Sequence, residues 1–366
     1  MAFLFSRGLI LDQHKEPALS RDLRAFTSPA GTRALSLPPA ENPAALSSDE
    51  IIAYAAEAQI VDERDGLPLD EKLRLARMRQ AVAVVADALD DEPYVSSQLN
   101  PLFKLSQQAI GGLQYAARAV GEPKTRIAVY KNLSDLHLHI PNTLYGVRVQ
   151  RITGKYPVEI RAKLTDGPEE TLLIGACALI HLYRAIHQAI QQTTCFVTVA
   201  GNCVANPVNL EVQIGASFSQ VLDRCGLFEE PSRIISGGPM TGLCIQDPDE
   251  ETVQATTRAV LAFKSDRRDR NYHCIGCGRC VRVCPRGLAP VYLYKAAVLG
   301  NVSMLRRFDA DQCLNCGTCS YVCPAKLDLS YRIRRAGSLI AALDDRTQTV
   351  QPEAAGEEVE EHAQSV

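Results

Sequence analysis

Eight of the thirteen cysteines in this 366-residue chain fall into two short runs. Residues 274–285 read CIGCGRCVRVCP and residues 313–324 read CLNCGTCSYVCP, each of the form C-x2-C-x2-C-x3-C-P. Thiolates at two-residue gaps can wrap three corners of a cubane 4Fe-4S cluster in one tight loop. The fourth cysteine, followed by proline, points away and caps the other cluster. On that cross-over pattern Cys274, Cys277, Cys280 and Cys323 hold one cluster, and Cys313, Cys316, Cys319 and Cys284 hold the second. Structural zinc is the competing chemistry, but zinc sites rarely use three cysteines at this spacing plus Cys-Pro, twice over. Gly276, Gly278, Asn315 and Gly317 keep bulk off the sulfurs and leave backbone N–H groups free to bond them.

The remaining side chains with chemical potential compete weakly. Cys177, Cys195, Cys203, Cys225 and Cys244 are scattered, none with an obvious base beside it, and read as small apolar residues. His137 and His139, in LHLHI, share one face of an expected strand and could pair on a metal; two half-exposed strand residues are the plainer reading. His181 and His187 lie in an apolar helical stretch and read as packing. His273 directly precedes the first cluster cysteine and could hydrogen-bond near it. No side chain is assigned a catalytic role.

Composition limits what these residues can serve. Apolar residues make up 46% and charged residues 22%, as in globular domains, and the net charge of −3 gives no reason to expect a nucleic-acid partner. No apolar run reaches the roughly 18 residues needed to cross a bilayer. The opening MAFLFSRGLILDQHKEP is interrupted by Arg7 and Asp12 and lacks a small-residue cleavage site, so no secretory leader is expected. A reducing, cytoplasmic setting follows, in which clustered cysteines are ligands and not bridges.

The elements that must carry the cysteines fall into blocks. Residues 1–46, rich in breakers, read as an irregular segment. From Ser47 and Glu50, at capping-box spacing, helices and apolar strands alternate through 192: the helix SSDEIIAYAAEA, the buried run AVAVVADAL, a helix from Pro101 to Gly121, the strands TRIAVY and TLLIGAC, and the helix ALIHLYRAIHQAIQQ. Residues 193–262 change to period-2 strands, CFVTVAG and NLEVQIG, then the helix SFSQVLDRCG and RIISGGPMTG, the makings of a β-grasp module. Residues 268–343 hold the cysteine sets with the helices PVYLYKAAVLG and LSYRIRRAGSLIAAL; 344–366 is acidic and expected to be a disordered tail.

With these blocks in place, residues 47–335 resemble the C subunit of the Rnf electron-transport complex and the related cobalamin-reductase-like proteins of bacterial microcompartments. The marks are VTVAGNCVANPVNLEVQIG, IISGGPMTG, CIGCGRCVRVCPRGLAPVYLYKA and CLNCGTCSYVCPAKLDL. The resemblance implies an α+β multidomain chain: a complex-I flavoprotein-like α/β domain, a β-grasp module of the SLBB kind, and a helical dicluster ferredoxin domain. In that family the α/β domain binds FMN and takes hydride from NADH.

At that domain the chain departs from the family. A glycine-rich loop of the form G-x-G-G-A-G-F-P-T is replaced by AQIVDERDGLPLDEKL, in which only Gly66 and Pro68 remain recognisable. Asp62, Glu63 and Asp65 would put carboxylates where phosphates should lie, and a net negative loop repels a dinucleotide. DALDDEPY keeps Asp90, Glu92, Pro93 and Tyr94 of a second family segment, with Asp87 in place of an asparagine. The expectation is therefore a degenerate flavoprotein-like domain serving as a scaffold, in an electron-transfer subunit with two 4Fe-4S clusters. Its partners would be redox proteins: a reductase or flavoprotein, and membrane Rnf-like or microcompartment components that hold it at their site. The alternatives are an NADH:acceptor oxidoreductase that still binds FMN and NADH by a rearranged loop near Gly66, Pro68, Asp90 and Glu92, and a purely structural iron–sulfur scaffold.

Overall fold

A computed structural model of the chain describes residues 24–26, 34–130, 140–158, 171–264 and 272–349. His137 and His139 lie outside the described residues. The chain forms two compact units, Met1–Arg268 and Asp269–Val366.

The first unit opens with a strand that the breakers of the N-terminal segment do not foretell. β1 (Arg24–Phe26) runs parallel to a strand almost two hundred residues later and gains its stability from that neighbour's hydrogen bonds. α1 (Ser48–Glu57) starts at Ser47, whose side chain accepts from Glu50 N–H while Glu50 reaches back to Ser47, the expected capping box. α2 (Leu69–Met78) leads into β2 (Ala83–Ala88), buried at all six positions. Apart from Asp87 the run is apolar, as a strand covered on both faces requires. The single helix expected to begin at Pro101 is two: α3 (Leu99–Lys104) and α4 (Ser106–Ala119), parted at Leu105 with φ −109 and ψ 36. The break lets Leu99 and Leu102 of one and Ala109, Ile110 and Leu113 of the other bury in the same core.

β3 (Lys124–Tyr130), the short β4 (Thr143–Leu144), β5 (Val147–Ile152) and β6 (Thr171–Gly175) complete a five-stranded sheet in the order β4-β5-β3-β2-β6. Every pairing except β4–β5 is parallel. β3 and β5 extend the sheet on one side of β2 and β6 lies on the other, so the strand order reverses between β2 and β6. In open parallel sheets ligands bind outside the carboxyl ends of the strands at such a reversal.

α5 (Ala176–Gln188) follows β6 without a loop. It packs so tightly on α4 that a Cβ at Gly112 would stand 1.9 Å from the Leu179 carbonyl oxygen. His181 is buried in this helix, and His187 Nε2 meets the Tyr115 hydroxyl at 2.8 Å while its ring stacks on Tyr183.

The second sheet of the unit is six-stranded and mixed. β7 (Thr194–Ala200) and β8 (Val208–Gln213) form an antiparallel hairpin, α6 (Phe218–Cys225) is capped by Ser217 and Gln220, and β9 (Arg233–Ser236), β10 (Leu243–Ile245) and β11 (Ala259–Phe263) close the order β1-β8-β7-β11-β9-β10. This is the expected β-grasp arrangement, with β11 parallel to β7 at its centre. A buried triad ties the loop after β2 to this sheet: Ser96 and Thr198 hydroxyls both donate to Asn209 Oδ1, at 2.8 and 2.7 Å.

The second unit is helical: α7 (Arg279–Val283), α8 (Pro290–Val298), α9 (Val302–Arg307), α10 (Thr318–Tyr321) and α11 (Leu329–Thr349). Leu293, Ala296, Leu305, Ile333 and Ala336 form its main core. α11 continues to Thr349, which corrects the expectation of a tail from 344. No Gly or Pro falls between Leu339 and Thr349 to stop it; residues 350–366 lie outside the described residues. No described helix is long and apolar enough to cross a membrane.

Gly112→Ala tests the α4–α5 contact. At an exposed helical site this change would stabilise by up to ~1 kcal/mol. Here it should destabilise by roughly 1–3 kcal/mol, read as a lower denaturant midpoint at unchanged slope.

Candidate metal centre and the crevice of the parallel sheet

The two cysteine runs fold alike. Gly276 and Gly278 have φ of +69 and +67, and Asn315 and Gly317, at matching places, have φ of +53 and +73. Left-handed residues there curl each loop and turn N–H groups inward, and asparagine is among the few side chains that accept this conformation. Backbone N–H groups of the loops and of the following helices face several sulfurs: Val281 and Val291 at Cys280, Asn315 at Cys313, and Ser320 at Cys319. Each loop runs into a short helix, α7 or α10, that carries the third cysteine. The fourth follows the helix end, where Pro285 or Pro324 prevents continuation.

The fourth cysteine of the first run lies with the first three of the second. Cys284, Cys313, Cys316 and Cys319 line one partly open cleft, walled on its apolar side by Leu293 and Ile333. Reciprocally, Cys280 and Cys323 both pack on the cluster of Cys319, Ala325, Leu327 and Leu329. Tyr272 N–H donates to Ala325 O at 3.0 Å, joining the approach to the first run to the turn after the second.

The electrostatics of the cleft ask for positive charge. Burial, then the neighbouring Cys313, Cys316 and Cys284, push the Cys319 thiol up to about 12. Cys313 is raised by burial and by Cys316 and Cys284, against the Asn315 N–H that lowers it. Thiols grouped in this way ionise together only when a metal displaces their protons. Among the described residues no three His, Cys, Asp or Glu side chains close on a single ion. A cubane, which takes one thiolate at each corner, suits sulfurs set around a space.

The two runs differ in exposure. Cys274 and Cys277 are exposed, with Ile275 between them 70% exposed, whereas Cys316 and Cys319 are buried. Of the scattered cysteines, Cys177, Cys195, Cys203 and Cys225 are buried and Cys244 is exposed. Burial raises the thiols of Cys177, Cys195 and Cys203, the opposite of nucleophile activation.

The residues expected near a nucleotide are engaged within the first unit. Gly66 (φ +75) donates its N–H to Asp62 O at 2.8 Å, and Pro68 directly precedes α2. The buried Asp90 carboxylate accepts from Gln98 N–H and Leu99 N–H at 2.9 and 2.7 Å and pairs with Arg258 at 3.1 Å. Glu92 accepts from Met240 N–H at 2.9 Å and from the Thr241 hydroxyl, which binds it to the GGPMTG turn.

The acidic loop corrects the expectation of a repelling negative surface, because its charges are met inside the unit. Lys72 pairs with both Asp62 and Asp65, at 2.5 and 2.7 Å, and Arg64 pairs with Asp87 at 2.5 Å. Glu63 points to the start of α5, where its two oxygens accept from Cys177 N–H and Ala178 N–H at 2.9 and 3.1 Å. No motif signals this partnership, since Cys177 lies more than a hundred residues from Glu63.

The curled cysteine loops and the mixed sheet each correspond to a known domain type. Residues 273–327 match the 4Fe-4S dicluster domain family and residues 196–243 match the SLBB domain. The chain is 28% identical over 275 residues to the C subunit of the ion-translocating oxidoreductase complex of Rhodobacter capsulatus, across 70% of this chain and 53% of that one. It is 25% identical over 291 residues to the C subunit of the proton-translocating ferredoxin:NAD(+) oxidoreductase complex of Clostridium ljungdahlii, across 72% and 61%. The resemblance to the Rnf C subunit read from the motifs is borne out, and the chain spans little more than half the length of these relatives. A chain of the NAD+-reducing [NiFe]-hydrogenase crystal structure in the H2-reduced state shares its fold, with a TM-score of 0.52 and 16% identity, over 87% of this chain and 66% of that one.

Glu63 supplies a pH prediction. Burial and the adjacent Asp62 raise its carboxyl to about 7, although the Cys177 N–H and the Gln98 side chain lower it. A raised carboxyl binds its proton more tightly folded than unfolded, so its contribution to stability falls as pH rises from about 4.5 through about 7. Asp90, also raised, has the same sign. The stability of Glu63→Gln relative to wild type should therefore rise by up to about 3 kcal/mol across that window, measured by urea unfolding at each pH.

Proposed function

We propose that the chain is an electron-transfer subunit that carries two 4Fe-4S clusters and relays electrons between a partner reductase and a partner acceptor. The observation that carries this reading is the single cleft that gathers Cys284 with Cys313, Cys316 and Cys319. Those four hold the second cluster, and Cys274, Cys277, Cys280 and Cys323 hold the first. The clusters, when bound, supply one-electron carriers whose potentials depend on hydrogen bonds to sulfur and on solvent exposure. The chain's own contribution is to hold the thiolates, aim N–H groups at the sulfurs and keep water from one side. The exposed Cys274–Cys277 edge, flanked by the exposed Arg279 and Arg282, is where a partner approaches; the buried Cys316 and Cys319 sit on the shielded side.

The relatives in Rhodobacter capsulatus and Clostridium ljungdahlii are subunits of oxidoreductase complexes that translocate ions, which supports components of an Rnf-like membrane complex as partners. With no catalytic side chain assigned, donor and acceptor are separate redox proteins, and the first unit is the scaffold on which they dock.

Anaerobically prepared protein should contain about eight irons per chain, counted with acid-labile sulfide. A content near one or two zinc ions and no sulfide would defeat the reading. Cys284→Ala should bleach the cluster of the second run and spare the first, whereas Cys274→Ala should do the reverse. Low-temperature paramagnetic resonance of the reduced variants distinguishes the two, and loss confined to the first cluster in Cys284→Ala would rule out the crossed ligand sets.

A further inference from the structure

The crevice where strand order reverses, between the carboxyl ends of β2 and β6, is where a parallel sheet of this kind accepts a ligand. Here the chain's own side chains occupy it. Arg64 meets Asp87, at the end of β2. Asp62 Oδ1 accepts from Gly175 N–H, the last residue of β6, at 3.2 Å. Gln98 Oε1 accepts from Ala176 N–H at 2.7 Å, and Glu63 takes the next two, Cys177 and Ala178. The first three N–H groups of α5, the ones that would receive an anionic ligand at a helix start, therefore all have acceptors from within the unit. The fit is close: a Cβ on Gly175 would stand 2.1 Å from Glu63 Oε1. Asp62 and Glu63 are 0% and 6% exposed, so the contact is part of the interior and not a surface encounter.

We infer that Asp62–Arg64 is a plug built into the chain, with the Glu63 carboxyl standing where the phosphate of a bound ligand would stand. Phosphate-bearing ligands, FMN and NADH among them, are excluded from the crevice, and the residues do not fit either cofactor there. The inference goes beyond the relay reading and does not depend on the clusters, because every residue it uses lies in the first unit.

The test uses the full chain and two probes, inorganic phosphate and FMN. Thermal unfolding of wild type in millimolar phosphate should match that in chloride at equal ionic strength. Glu63→Ala, which empties the helix start, should gain a phosphate-dependent rise in Tm of a few degrees. A folded variant that gains nothing, or a wild type that gains as much, overturns the plug. Should Glu63→Ala fail to fold, equilibrium dialysis of wild type against FMN decides: no uptake is expected, and one flavin per chain overturns the inference. Iron measured on the same preparations separates the outcomes, since missing iron counts against the relay and leaves the plug standing.

Discussion

A backbone N–H withdrawn from water must meet an acceptor, and both units are arranged around that requirement. In the first unit the start of α5 is buried against the sheet, and its donors are met by carboxyl and amide oxygens from far along the chain. Asp90 answers the same need at the start of α3, accepting from Gln98 and Leu99 N–H groups. In the second unit the cysteine loops and the helices beside them turn N–H groups onto sulfur. One demand of the peptide bond is met by carboxyls in one unit and by thiols in the other.

A fold of this kind can therefore be complete with no ligand in its crevice. A parallel sheet that ends against a helix start leaves donors to be satisfied whether or not a ligand comes. When short acidic side chains reach them, the fold is complete alone. Burying Glu63 beside Asp62 disfavours its ionisation, but leaving the donors of Cys177 and Ala178 bare would carry a desolvation cost of its own, about 1–3 kcal/mol each.

What is legible in the sequence divides along the range of the interactions involved. The cysteine runs, the capping box at Ser47 and the buried strand β2 depend on neighbours a few residues away, and all appear in the structure where spacing and pattern put them. β1 and β11 depend on distant strands and carry few residues each, too short for their periodicity to stand out. The acidity of residues 62–65 is plain, but its meaning is not. Charge counting suggests a surface that repels phosphate, whereas Lys72 and the α5 N–H groups hold Asp62 and Glu63 inside, and Lys72 also pairs with Asp65. The break at Leu105 is likewise hidden, because both halves of that helix have the same apolar pattern and only the shape of the core decides between a straight and a bent path.

The cleft of the second unit bears on heredity as well as on chemistry. Two similar runs of cysteines suggest a short ancestral segment copied once, and such a copy starts as something that can be lost again. Cys284 lining the same cleft as residues 313–319 ends that freedom. Cutting the gene between the runs would leave one half with a stray thiol and the other with an open wall. The repeat has become indivisible: the two halves can still diverge, as Gly276 and Asn315 have, but neither can be discarded.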